Sequence, residues 1–144
     1  NVADSEEDVS LRSRVKVANS VHKVKKNGIY LSIHANAFGR GKEFSSPNGI
    51  SIYHYYRSSA GKKLAETLIP HLVSLTGFRK RGVKSNDSWA NFYVLRKTHM
   101  PAVLSENGFM TNLQNATALM TDETRQKIAV AHFAMILEIE QNGF

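Results

Sequence analysis

Cysteine is absent from all 144 residues. That excludes disulfides, thiolate metal sites and a cysteine nucleophile. It is compatible with an oxidising envelope or extracellular setting without demonstrating one. No apolar run reaches the roughly 18 residues that a membrane-spanning helix needs. No signal peptide, internal repeat or low-complexity segment is visible. Acidic residues are outnumbered, 12 against 19 basic, which leaves a net charge of +7. Such a balance favours anionic partners, either nucleic acid or an anionic cell surface. A solvated basic face still accounts for most of the lysines. What is present is ordinary globular material, 42% hydrophobic and 22% charged, enough for one domain over residues 1–144 with its own core. The start, Asn1 to Asp8, is polar and acidic and lacks an initiator methionine. It reads as a processed end, an engineered boundary or a fragment.

Read in order, Asp8 or Ser10 can cap a helix in which Leu11, Val15, Ala18 and Val21 form one face, with Gly28 as terminator. Lys23, Lys25 and Lys26 near its carboxyl end complement the helix dipole. Ile29 to Phe38 follows as a short, little-charged strand, expected to be buried, that delivers His34 toward its end. After a Gly- and Ser-rich loop at 39–48, Gly49 to Tyr56 is a second strand carrying His54. Ser58 then caps a long helix carrying Leu64, Leu68, Leu72 and Leu75, ended by Gly77, with Pro70 expected to kink or split it. Arg79 to Lys84 reads as a basic turn. Residues 85–91 read as a polar loop around Trp89, and Phe92 to Leu95 as a third strand. Ala102 to Ser105 reads as a buried strand running into Glu106. Asn112 and Thr121 can cap two further helices, the last with Ile128, Ala131, Met135 and Ile139 on one face. Strands alternating with helices predict an α/β fold: a layered, mostly parallel twisted sheet flanked by helices.

His34 and Glu106 share one property: each is placed at the carboxyl end of an apolar strand, where open α/β sheets bind ligands. A neutral imidazole is a good metal ligand or proton carrier, and a carboxylate in a partly dry crevice becomes a stronger base. The pair suggests metal-assisted hydrolysis. A core histidine and an exposed loop carboxylate are the plain alternatives. His54, beside three tyrosines, is expected on a sheet face. Asn36, Asn107 and Asn112 are expected to support loops or cap helices.

The segments SIHANA at 32–37 and PAVLSENGFMTN at 101–112 resemble two signature segments of the zinc-dependent N-acetylmuramoyl-L-alanine amidases of the amidase-3 type. Asn48-Gly49-Ile50, SSAGKKLAETL and NFYVLRKTHMPAVL are similar too, so the resemblance spans roughly residues 8–140. It implies a zinc cofactor with His34 as a zinc ligand and Glu106 as the catalytic glutamate. It implies cleavage of the amide between N-acetylmuramic acid and L-alanine in peptidoglycan. The expected setting is the cell envelope, periplasmic or extracellular, with peptidoglycan as partner, no nucleic acid and no membrane span, and the protein a monomer. The family's other two zinc ligands, an earlier HGG-type histidine and a further glutamate, precede the segment that matches residues 8–26. Neither His22 nor Glu6 and Glu7 stands in the right context to replace them. The chain therefore resembles the carboxyl two-thirds of a catalytic domain, lacking an amino-terminal strand and helix and leaving a sheet edge exposed. The alternative is a non-catalytic amidase-like module that binds peptidoglycan or a partner.

Overall fold

The structure is a computed structural model that describes residues 8–41, 43–86 and 91–144. The predicted contexts of Glu6, Glu7 and Trp89 lie outside these residues. The described elements are α1 (Leu11–Val24), β1 (Tyr30–Asn36), β2 (Ile50–Tyr55), α2 (Ser59–Thr76), β3 (Lys80–Asn86), α3 (Tyr93–Lys97), β4 (Ala102–Phe109), α4 (Leu113–Leu119) and α5 (Asp122–Asn142). The strands form one sheet in the order β1-β4-β2-β3. β1 pairs parallel with β4 and β2 parallel with β3, while β2 and β4 are antiparallel. The expected layered α/β fold is present, with a mixed sheet.

Period-2 alternation sorts the strand side chains between two cores. On one face Ile50, Ile52 and Val103 pack beneath α2 and α5 against Leu64, Leu68, Leu72, Ala131 and Met135. On the other, Tyr30, Ala102 and Leu104 meet Val15 and Ala18 of α1 and Val94 and Leu95 of α3. Ser10, Ser58, Asn112 and Thr121 each accept a backbone N–H at a helix start, as expected. Gly77 closes α2 in the left-handed region.

Several expectations need correction. Pro70 does not split α2, which runs unbroken from Ser59 to Thr76. Pro70 and Glu66 are both on the exposed side, so water can take the carbonyl that the proline leaves unpaired. The basic turn at Arg79 to Lys84 is instead the edge strand β3. An edge strand needs little apolar content, and its lysines discourage further pairing. Phe92 to Leu95 is not a strand: Tyr93–Lys97 is the short helix α3. Its consecutive residues Val94 and Leu95 are both buried against α1, and that packing overrides their β propensity. α1 ends at Val24, before Gly28. Among the described strands β1 lies at the sheet edge and is not buried, with Ile33 53% exposed. β4 continues past Ser105 through Glu106 to Phe109, so that residue stands within a strand and not at its end.

One buried side chain ties this frame together. Asn115, on α4, accepts the backbone N–H of Gly49 at 3.0 Å and that of Phe109 at 3.1 Å. It thereby joins the start of β2 to the end of β4. Asn115→Ala leaves both amides without that acceptor, and each such loss costs about 1–3 kcal/mol. Chemical denaturation is expected to show a loss of about 2–4 kcal/mol. A loss under about 1 kcal/mol would show the pin to be dispensable.

Candidate active site

Strand register brings the two predicted site residues together. In the parallel β1–β4 pair, His34 lies opposite Glu106. Across the antiparallel β4–β2 pair, Glu106 lies opposite Ser51, and Ser51 in turn lies opposite Gly82 of β3. A single row, His34–Glu106–Ser51–Gly82, therefore crosses all four described strands on one face. The neighbouring row holds Ser32, Leu104, Tyr53 and Lys84.

Glu106 is half-buried, and its Oε2 is enclosed without a hydrogen-bond partner among the described residues. Burial raises its carboxyl pKa to about 7. A carboxylate so placed binds a proton avidly near neutral pH. His34 is exposed on the edge strand, with Nε2 2.7 Å from Ser32 Oγ. Partial desolvation, then the positive charge of Arg14, lowers its pKa and favours the neutral imidazole. That is the form that ligates a metal. Tyr53's phenol is raised first by burial and then by the Glu106 charge, with Arg81 acting in the opposite direction.

A buried polar chain lies behind the row. His132 on α5 has Nδ1 2.7 Å from the Ile128 carbonyl, so Nδ1 carries the proton and Nε2 accepts from Ser105 Oγ at 3.0 Å. Burial lowers the His132 pKa and so favours its neutral form. Asn107 Nδ2 donates to Ser105 Oγ at 3.0 Å and to the His34 carbonyl at 3.1 Å. The His34 backbone is thus tied through the sheet to the core under α5. The register shifts just beyond it, between His34 and Asn36, and Gly108 takes a φ of 90°. Asn36 accepts from the Ala37 amide and Asn112 caps α4, the supporting roles expected of them.

His54 is buried on the opposite face, with Nδ1 3.0 Å from the Tyr55 carbonyl, and does not join the site. The sequence reading missed Ser32, Ser51, Tyr53, Arg81 and the Ser105–His132 pair. Period-2 spacing carries a signal for the first three, since Ser32 stands two before His34 and Ser51 and Tyr53 alternate with Ile50 and Ile52. His132 carries none, because a histidine on an amphipathic helix has no local mark of its buried partner.

Among the described residues no three His, Cys, Asp or Glu side chains converge as a metal cluster. The donors present fit one imidazole ligand beside one base, and do not form a closed zinc site by themselves. Beside His34, the other face of β1 opens into an apolar cleft lined by Ile33, Ala35, Leu119 and Ile128.

Over residues 2–138 the chain matches the amidase-3 family, described as N-acetylmuramoyl-L-alanine amidase. It is 40% identical over 124 residues to the N-acetylmuramoyl-L-alanine amidase LytC of Bacillus subtilis (strain 168), covering 85% of this chain and 23% of that protein. It is 36% identical over 129 residues to the N-acetylmuramoyl-L-alanine amidase CwlM of Bacillus licheniformis, covering 89% of this chain and 45% of that one. The crystal structure of an N-acetylmuramoyl-L-alanine amidase from Clostridium difficile 630 superposes with a TM-score of 0.82 at 27% identity, covering 97% of this chain and 70% of that chain. The chain thus spans less than half the length of these two curated relatives.

Proposed function

The chain belongs to the amidase-3 family of N-acetylmuramoyl-L-alanine amidases, and from that premise we propose that it carries part of a zinc-dependent peptidoglycan amidase site. Its substrate is the amide bond between N-acetylmuramic acid and L-alanine, and its setting is the cell envelope. The observation that carries this reading is the direct register of His34 with Glu106, whose carboxyl pKa is raised to about 7.

His34 is the zinc ligand that the described residues supply. A closed zinc site needs further ligands from outside the described residues. When bound, zinc supplies Lewis acidity to a water and to the scissile carbonyl. Glu106 would take the proton from the attacking water and pass it to the leaving amine. Its Oε2 suits both transfers, since no donor among the described residues competes for it. The Asn107 bond to the His34 carbonyl holds the ligand strand beside the base.

Two measurements on the full-length protein test this reading: zinc content after dialysis, and release of peptides with new L-alanine amino termini from purified walls. The expected result is about one zinc per chain together with peptide release. His34→Ala is expected to weaken zinc binding at least about tenfold. Wall binding without peptide release at saturating zinc would instead establish a non-catalytic binding module.

A further inference from the structure

A bulge in β3 sets one cation apart from the other charges of the sheet edge. Ile50 pairs with Lys80 and Ser51 with Gly82, so Arg81 is left over from the β2–β3 ladder. Gly82 follows with a φ of 107°, and no described atom lies within 4 Å of where its Cβ would stand. Bulges re-aim side chains, and this one stacks the Arg81 guanidinium 5.0 Å from the centre of the Phe109 ring. The same guanidinium lies 3.4 Å from the Asn48 carbonyl, a weak contact. Two positions beyond Gly82, the Lys84 ammonium sits 5.6 Å from the centre of the Tyr53 ring. The ion pairs of the described residues involve neither Arg81 nor Lys84.

A lysine-rich edge strand guards against aggregation, and freely solvated charges do that well. Arg81 departs from that pattern. It is out of register, laid on a buried aromatic ring, and at the end of the row that holds His34 and Glu106. The row itself is open at that end, because Gly82 projects nothing above it. The ring that carries the guanidinium belongs to Phe109, three residues beyond Glu106 on β4 and so roughly 10 Å along the strand. An extended peptide advances about 3.3 Å per residue. A peptide leaving Glu106 in the direction of Phe109 therefore reaches the Arg81 guanidinium in about two to three residues.

We propose that Arg81, assisted by Lys84, is a specificity-determining subsite for a carboxylate on the peptide side of the scissile amide, two to three residues from the cut. The proposal rests on the amidase reading for its direction, in which the peptide departs from Glu106 toward the guanidinium on Phe109. A planar guanidinium resting on an aromatic ring is well suited to a bidentate carboxylate.

The test is calorimetric binding of two probes to the full-length protein. One is an N-acetylmuramoyl tripeptide with free side carboxylates, and the other is the same compound with those carboxylates amidated. The wild type is expected to prefer the free acid by roughly tenfold at low salt, with the preference shrinking as salt rises. Arg81→Met is expected to bind both probes alike, and Arg81→Lys to keep part of the preference. Equal binding of the two probes by the wild type would overturn the proposal, as would an undiminished preference in Arg81→Met. The amidase reading fails separately, by the absence of peptide release from walls. Hydrolysis without carboxylate preference would sink the subsite alone.

Discussion

Glu106→Gln is expected to lower turnover of cell-wall peptide release about 100- to 10,000-fold, the range that positioned proton transfer contributes. Glutamine keeps the shape and the hydrogen-bonding oxygen but cannot accept and return a proton. Retention of more than about a tenth of the wild-type rate would remove Glu106 from the role of base. The same residue predicts two pH dependences. For turnover, kcat/KM should rise with pH through about 7 as the carboxyl loses its proton. For stability the direction is opposite. The folded-state pKa lies above the ordinary 4.5, so between pH 4.5 and about 7 the unfolded chain has released a proton that the folded chain still holds. Stability of the wild type therefore falls as pH rises through that window and levels off above it. Glutamine does not titrate there. The melting temperature of Glu106→Gln relative to wild type should then climb from pH 4.5 to 7, because the variant lacks a buried carboxylate that resists ionising. A flat difference across the window would mean that Glu106 is solvated.

The parts of this site that were legible in the sequence are local ones. His34 and Glu106 stand out because each follows an apolar strand pattern, and the caps at Ser10, Ser58, Asn112 and Thr121 are short-range hydrogen bonds between near neighbours. Helix faces such as Ile128, Ala131, Met135 and Ile139 are written in the 3.6-residue period and are buried as expected. What the sequence could not carry is partnership across the sheet. The direct opposition of His34 and Glu106 depends on β1 and β4 being neighbours, although they are separated by two other strands along the chain.

The missed elements have the same cause. β3 reads as a turn because Lys80, Arg81 and Lys84 give no alternation of apolar and polar residues. Its strand character comes from pairing with β2, with Val83 packed against the core. α3 reads as a strand because tyrosine, valine and leucine favour extended backbone. Its fate is decided by where Val94 and Leu95 must both be buried. Ser105 and His132 are unremarkable in the chain, and only the packing of α5 on the sheet brings Ser105 Oγ and His132 Nε2 to 3.0 Å.

Gly49→Ala is expected to be the most damaging single methyl in the fold, with a cost above about 3 kcal/mol and a fall in melting temperature of about 10 °C or more. Gly49 holds a φ of 96°, where an L side chain is strained, and a Cβ there would stand 2.2 Å from the Arg79 carbonyl oxygen. That oxygen cannot step aside cheaply, because it accepts the Ile50 amide at 2.8 Å in the contact that opens the β2–β3 pairing. The Gly49 amide is itself held by Asn115, so neither side of the clash is free to relax. Gly77→Ala is the control. Gly77 also has a positive φ, of 70°, but nothing lies within 4 Å of its Cβ position, so it should cost only the left-handed penalty of about 1–2 kcal/mol. Thermal melts of the two variants separate backbone strain from collision, and equal losses would show that the Arg79 contact gives way. If the large loss is found, its consequence reaches the site. β2 carries Ser51 beside Glu106 and Tyr53 beneath Lys84. A β2 displaced from β3 would separate the base from the cationic edge at Arg81. Gly49 is thus the position at which the fold sets the spacing between Glu106 and the subsite proposed at Arg81.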